Sequence, residues 1–182
     1  PTIKEISAPY NLQTIRGNIY KSTIAMFISE LLSKCIREAE PNRILYSFLS
    51  SSIQILEHST DGVSNFHIHF ITHLCKILGY MPLDNFSAAT PVFDIASARF
   101  APSVYVPKGE CQLLCQEESL LLHVIMNTPS TALDCLQYNN TPLKISGDLR
   151  LSFAKHIIDY LSYHLGNKIE IKSLDVLHQV FI

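Results

Sequence analysis

Apolar residues recur at helical spacing in two stretches of this chain, and each stretch stops at a glycine. The members of the two stripes are Phe66, Phe70, Ile71, Leu74 and Leu78, then Phe153, Ile157, Leu161 and Leu165. A four-residue stride places such side chains on one face of a helix. Gly79 and Gly166 follow where a helix end favours a residue that adopts positive φ. The pattern therefore predicts two amphipathic helices with defined ends.

The same periodicity and the usual start signals predict the remaining helices. Pro41 suits the first turn of the second helix, and Ser64 suits the cap of the third. The predicted helices cover about 19–38, 42–58, 64–79, 112–126, 131–137, 148–165 and 173–180. Residues 1–17 contain proline and asparagine and are predicted to be a lead-in. The helical domain itself is predicted to span 18–182.

The segment from about 82 to 110 departs from helical periodicity. Prolines and short runs of β-forming residues replace it, and residues 91–95 and 99–100 flank the small residues 96–98. This arrangement is typical of a small hairpin. The fold class is therefore predicted to be mainly α, a helical bundle with a small β-like insertion.

Composition narrows the functional classes. Of 182 residues, 47% are hydrophobic and 16% charged, which favours a compact globular chain over a disordered one. No apolar run reaches the roughly 18–20 residues that cross a bilayer, so no membrane role is expected. The net charge of −2 lacks the basic excess typical of a nucleic-acid surface. Five cysteines without a secretion signal indicate reduced thiols in the cytoplasm.

Four short segments carry a resemblance to a known family. They are Ile19-Tyr-Lys-Ser, Phe27-Ile-Ser-Glu-Leu-Leu, Leu78-Gly-Tyr-Met-Pro-Leu and Tyr160-Leu-Ser-Tyr-His-Leu-Gly-Asn-Lys. Together they span nearly the whole chain and resemble the C-terminal helical region of RecO, the bacterial recombination mediator. The resemblance implies that 1–17 lead in from an N-terminal OB domain that is absent here, and the start at Pro1 fits a piece of a longer protein.

The resemblance also implies a function. RecO-like proteins serve DNA repair by helping to load recombinase onto DNA coated by single-stranded DNA-binding protein, and they anneal strands. This part would supply contacts to that protein's tail and to a RecR-like partner, with single-stranded DNA bound mainly by the OB domain. The protein is expected to act in the bacterial cytoplasm. No enzymatic activity and no cofactor are expected for it. The alternative is a helical interaction domain of an unrelated cytosolic protein without a DNA role.

Relatives often carry a zinc module after the Leu-Gly-Tyr element, and this chain departs from that pattern. Phe86 stands where the first ligand is expected, and three residues separate Cys111 from Cys115, where the zinc motif has two. Zinc favours four converging ligands. A structural role for both thiols on one helical face is therefore favoured over a metal site, and the insertion is interpreted as a degenerate zinc module.

The third helix carries His67, His69 and His73, and the last two share a face with Lys76. Three interpretations stay open: a solvated polar face, a weakly basic recognition face and a metal site.

The resemblance favours recognition of an acidic tail that ends in an aromatic residue. Such a tail needs an apolar wall and cations near its carboxylate. The candidate residues on the second and third helices are Arg43, Tyr46, Ile53, Ile68, His69 and Lys76.

Overall fold

The computed structural model describes residues 11–36, 41–105, 113–133 and 136–181. Within these residues the chain is mainly α-helical, as its apolar pattern predicts. The helices are α1 (Gln13–Gly17), α2 (Ile19–Cys35), α3 (Arg43–His58), α4 (Phe66–Ile77), α5 (Gln116–Met126), α6 (Gly147–Leu165) and α7 (Ser173–Val180). Two antiparallel strand pairs complete the fold, β1 (Val92–Asp94) with β2 (Arg99–Ala101) and β3 (Gln137–Tyr138) with β4 (Thr141–Pro142). None of the described helices has the combination of length and apolarity needed to traverse a bilayer.

Helices α4 and α6 form the centre of the core, since most of each apolar stripe is buried. Ile68, Ile71 and Leu74 of α4 have no exposed surface, and neither do Phe153 and Ile157 of α6. Burying each such side chain contributes about 1.5–3 kcal/mol. The two stripes that dominate the sequence pattern therefore also dominate the packing.

The two glycines that the sequence assigns to helix ends adopt the predicted backbone. Gly79 has φ +85° just beyond α4, and Gly166 has φ +67° at the cap of α6. A side chain at either position would be strained. The hydroxyl of Tyr160 on α6 donates a 2.6 Å hydrogen bond to the carbonyl of Tyr80, so α6 is bound to the segment that follows α4.

The hairpin predicted around residues 96–98 is confirmed. Phe93 on β1 lies opposite Phe100 on β2, and both rings are buried in the core. The carboxylate of Asp94 accepts hydrogen bonds from the Ala96 N–H at 3.2 Å and the Ser97 hydroxyl at 2.6 Å. These side-chain bonds hold the turn, since Asp is well suited to bond nearby backbone groups.

Helix α7 is held against α2 by a carboxylate. Glu30 of α2 accepts the backbone N–H groups of Lys172 at 3.1 Å and Ser173 at 2.9 Å, and also the Ser173 hydroxyl at 2.5 Å. A helix start leaves N–H groups without intrahelical partners. Glu30 therefore satisfies the start of α7 from 142 residues away in sequence.

Helix α1 lies inside the segment predicted to be a lead-in, where the apolar pattern predicts no helix. The carboxylate of Glu57 accepts the N–H groups of Thr14 at 2.8 Å and Ile15 at 3.0 Å. The ammonium of Lys21 donates to the carbonyl of Glu57 at 2.7 Å. A short helix is marginal by itself, so α1 depends on these partners from α2 and α3.

The prediction of a helix at 131–137 is wrong. Residues 131–133 and 136 are not helical, and Gln137 begins the strand pair β3–β4. Asn139 and Asn140 turn between these strands with φ of +50° and +62°. Asparagine tolerates this conformation better than most residues.

The start of the predicted helix at 112–126 also differs from the structure. The helix predicted from residue 112 begins at Gln116, because Cys115 caps it together with Glu118. Residues 37–38 of the first predicted helix, 106–110 of the insertion and Cys111 lie outside the described residues.

Candidate functional site

An apolar groove is formed by α1, α2 and α3 above the buried ring of Phe70 on α4. Its walls include Ile28 and Leu32 from α2 and Leu49 and Ile53 from α3. The groove encloses about 260 Å³. Pockets for small molecules usually measure roughly 300–1,000 Å³, so this groove has the size for one large side chain.

Four of the six candidate residues lie at the surface of α3 and α4. Ile53 lines the groove and is 38% exposed, and Tyr46 on the same helix is 67% exposed. Arg43 is the first residue of α3, and Lys76 is in the last turn of α4, with both side chains exposed. Apolar wall and cations are therefore both present on this helix pair.

The other two candidate residues cannot touch a partner in this fold. Ile68 has no exposed surface and His69 is 1% exposed. The reason is that α4 packs against α2, α3, α5 and α6, so little of its circumference faces water. The prediction that Ile68 and His69 form part of a recognition surface is wrong. The solvated face proposed for His69 is wrong for the same reason.

Burial also decides the charge of His69. Desolvation, together with a smaller effect of the neighbouring His73 imidazole, lowers the pKa of His69 to about 4. The two rings stack with centroids 6.2 Å apart. His69 is therefore neutral at pH 7 and cannot supply the cation that the sequence pattern suggested.

The possibility of a metal at this histidine pair depends on further ligands. Both nitrogens of His69 and Nε2 of His73 are buried and have no hydrogen-bond partner. Within residues 11–36, 41–105, 113–133 and 136–181, no three His, Cys, Asp or Glu side chains come together in a metal-binding arrangement. Two imidazoles alone leave the usual tetrahedral set of zinc incomplete.

Of the predicted cysteine pair, Cys115 lies within the described residues. Cys115 caps α5: its thiol accepts the Glu118 N–H at 3.5 Å, and the Glu118 carboxylate accepts the Cys115 N–H at 3.0 Å. Cys115 thus precedes the helix rather than lying on its face, which corrects the sequence interpretation. Partial burial and the Glu118 carboxylate raise the pKa of the Cys115 thiol. Its partner Cys111 lies outside the described residues, so a structural role for the pair stays a prediction.

The groove residues Ile28, Leu32 and Leu49 were not identified from the sequence. Their apolar character did not mark them as site residues, because spacing alone does not distinguish a covered apolar stripe from an exposed one. One signal was present: α3 carries Ile44 and Ile53 in addition to the stripe that packs inward, and these side chains are 69% and 38% exposed.

Comparisons with known proteins identify relatives of this chain. The family model described as "Recombination protein O C terminal" matches residues 16–175. The DNA repair protein RecO of Flavobacterium johnsoniae is 31% identical over 178 residues, which cover 98% of this chain and 69% of that protein. The RecO proteins of Phocaeicola vulgatus and Azobacteroides pseudotrichonymphae are 31% and 27% identical, each covering 98% of this chain and 70% of the relative. No solved structure matches at a significant level.

Proposed function

This chain belongs to the family of the C-terminal region of recombination protein O, and we propose that it serves DNA repair by homologous recombination. The observation that carries this proposal is the similarity to RecO proteins over 98% of the chain. The family match weighs against the alternative of an unrelated interaction domain. In the proposed role the protein helps to load recombinase onto DNA coated by single-stranded DNA-binding protein and promotes strand annealing in the bacterial cytoplasm.

In this proposal the helical region supplies protein contacts rather than DNA affinity. Residues 81–182 hold seven Lys and Arg against ten Asp and Glu. A surface that binds DNA by counterion release needs clustered positive charge. We therefore assign most contact with single-stranded DNA to an OB domain that precedes this region in the whole protein, and a further contact to a RecR-like partner. This role requires no catalytic residue.

The apolar groove is our candidate for the tail of single-stranded DNA-binding protein. The groove accepts one large apolar side chain, and the terminal aromatic residue of an acidic tail has that chemistry. Arg43 and Lys76 would then face the carboxylates of the tail. The candidate site keeps Arg43, Tyr46, Ile53 and Lys76, with the groove walls added and the two buried residues removed.

A peptide titration tests this site. The probe is a fluorescently labelled acidic peptide that ends in phenylalanine, and anisotropy reports its binding. Ile53→Glu places a charge in the apolar groove and repels an acidic ligand. We expect Ile53→Glu to weaken binding at least about tenfold, the loss that follows from one unfavourable term of about 1.4 kcal/mol.

Ile44→Glu is the matched control for this titration. It makes the same substitution on the same helix, at a side chain that is 69% exposed and not part of the groove wall. We expect it to bind the peptide like the unmodified protein. Equal losses in both variants, or no binding by the unmodified protein, would refute the groove as the tail site.

A cellular experiment tests the repair function itself. Deleting the gene should sensitise the bacterium to ultraviolet light, and the allele with Ile44→Glu should restore survival. The allele with Ile53→Glu should restore it less well if tail binding recruits the protein to DNA. Unchanged survival after deletion would contradict the repair role, whereas full rescue by both alleles would contradict only the groove.

A further inference from the structure

A second pocket lies where the start of α6 meets α4 and α7, and none of its lining residues belongs to the tail site. Gly147 and Arg150 of α6 line it together with His67 of α4 and His178 of α7. A methyl group placed on Gly147 would lie 3.8 Å from Cε1 of His178 and 3.9 Å from Nη2 of Arg150. The guanidinium and both imidazoles therefore line one small space.

Among the described residues, Arg150 has no counter-charge. Its Nη1 donates a 2.9 Å hydrogen bond to the carbonyl of Ile145. None of the ion pairs among the described residues includes Arg150. Arginines that are partly buried usually pair with a carboxylate or a phosphate. The guanidinium thus has donors to offer to a ligand.

His67 provides an independent indication of a ligand. The side chain is 4% exposed, and no described residue gives its buried Nδ1 a hydrogen bond of normal geometry. A buried polar atom without a hydrogen bond destabilises the fold, and a ligand that bonds to it removes that cost. Desolvation, then the nearby charge of Arg150, lowers the pKa of His67 to about 3. The imidazole is consequently neutral at pH 7. An anion in the pocket would supply the counter-charge that Arg150 does not find among the described residues.

The start of α6 adds backbone donors on the same side. α6 has 19 residues, and Ser146 caps it by accepting the Leu149 N–H at 3.1 Å. The N–H groups of the first turn have no helical carbonyl partner, and the helix dipole favours an anion there. The acid nearest to His178 is Asp148, 3.7 Å away with a side chain that is 96% exposed, so its charge is well screened by water.

We propose that the pocket at the start of α6 binds a phosphate group. The donors available to it are a guanidinium, the start of a helix and a buried imidazole, all of which line the pocket. The enclosed space is about 10 Å³, enough for one water-sized group. One phosphate oxygen enters it, and the remaining oxygens stay near Arg150 at the surface. The phosphate is either free inorganic phosphate or part of a nucleic-acid backbone.

Amide NMR spectra of the ¹⁵N-labelled chain test this proposal with inorganic phosphate as the probe. We expect saturable shifts at the backbone amides of Gly147 and Asp148, with a dissociation constant on the order of 1 mM, as suits an ion of few atoms. Arg150→Gln should weaken binding at least about tenfold. His67→Leu should weaken it roughly three- to tenfold, the range for one neutral hydrogen bond.

Arg99→Gln is the matched control. Arg99 is an exposed arginine on β2 that does not line this pocket. The same substitution at Arg99 should therefore leave phosphate binding unchanged. Equal binding by Arg150→Gln and the unmodified protein, with both folded by melting temperature, would overturn the site.

Two further arms identify the ligand. Acetate or chloride at equal ionic strength should not reproduce the saturable shifts, and an identical response to acetate would overturn the assignment to phosphate. A short oligothymidylate that produces the same shifts, and loses them with Arg150→Gln, identifies backbone phosphate as the source. Shifts with inorganic phosphate alone identify the free ion.

Discussion

His156 on α6 places its Nδ1 2.9 Å from Oε1 of Glu118 on α5, so a carboxylate and an imidazole join two core helices. Only 3% of the Glu118 side chain is exposed, against 24% for His156. Burial raises the pKa of Glu118, but the hydrogen bond from His156 and those from other donors outweigh it and lower the pKa to about 2. The same hydrogen bond raises the pKa of His156 against the effect of its partial burial.

The first prediction concerns this pair above neutral pH. Because the fold raises the pKa of His156 above 6.5, its stabilising effect is complete below that value and disappears as pH rises through the folded pKa. His156→Gln keeps a hydrogen-bonding group but no charge. We expect its loss of melting temperature to be largest near about pH 6 and to shrink toward about pH 9.

Thermal unfolding of both proteins across this range measures the difference directly. His58→Gln serves as the control, because His58 is exposed on α3 and its Nδ1 lies 2.8 Å from the Gln54 carbonyl. A deficit for His156→Gln that stays constant with pH would show that the charge of His156 does not contribute. Below pH 4.5 the stability that the ionised Glu118 adds to the fold should also be lost as pH falls toward about 2.

The second prediction concerns His69 in acid. Its folded pKa of about 4 lies below its ordinary value of 6.5, so the unfolded chain binds a proton that the folded chain excludes. Stability should therefore fall as pH goes from 6.5 toward 4, by on the order of 3 kcal/mol from this residue. His69→Leu removes this effect, and we expect it to gain stability relative to the unmodified protein when pH falls from about 7 to about 5.

Urea unfolding midpoints at the two pH values measure that gain. His69→Leu should cost little at neutral pH, since neither imidazole nitrogen has a hydrogen-bond partner to lose. Equal changes of the urea midpoint with pH in the two proteins would mean that His69 becomes exposed to water before it is protonated.

The third prediction concerns the bond between α2 and α7. Glu30→Ala leaves two N–H groups and one hydroxyl at the start of α7 without their acceptor. We expect a loss of about 1–2 kcal/mol in the free energy of unfolding, the usual effect of removing a helix cap. Glu170→Ala removes an exposed carboxylate three residues before α7 and should change this free energy by less than about 0.5 kcal/mol. Similar losses for both would assign the effect to net charge.

Local signals in the sequence were sufficient for the long helices and the first hairpin. Gly79 and Gly166 stop helices because a positive φ suits glycine, and this rule needs no tertiary information. The turn at Asn139 and Asn140 also had a local signal, which the helical interpretation of 131–137 overrode. Helix α1 had none, because the Glu57 carboxylate that caps it comes from the end of α3.

The candidate site was predicted in part for the same reason. Exposed Arg43, Ile53 and Lys76 follow from the polar and apolar pattern of each helix. The burial of Ile68 and His69 depends on which neighbours cover α4, and spacing within one helix does not contain that information. The pocket at Arg150 is likewise built from α4, α6 and α7, which meet only in the folded chain.

The last prediction concerns the cationic edge of the proposed tail site. Lys76 is exposed in the last turn of α4, whose buried Phe70 forms the base of the groove. A charge-assisted contact contributes about 1.5–3 kcal/mol, so Lys76→Glu should weaken binding of the acidic peptide at least about tenfold. Lys168→Glu makes the same change of net charge at an exposed residue after α6, away from the groove, and should weaken binding far less.

Salt separates a local contact from a general charge effect in this pair of variants. The screening length falls from about 10 Å at 0.1 M salt to about 3 Å at 1 M. The affinity difference between Lys76→Glu and Lys168→Glu should therefore shrink but persist if Lys76 contacts a carboxylate directly. Because His69 is buried and neutral, it should not make the affinity for the peptide depend on pH between about pH 7.5 and about pH 6. Anisotropy titrations that give equal affinities for the two variants at low salt would place the carboxylate of the peptide away from α4.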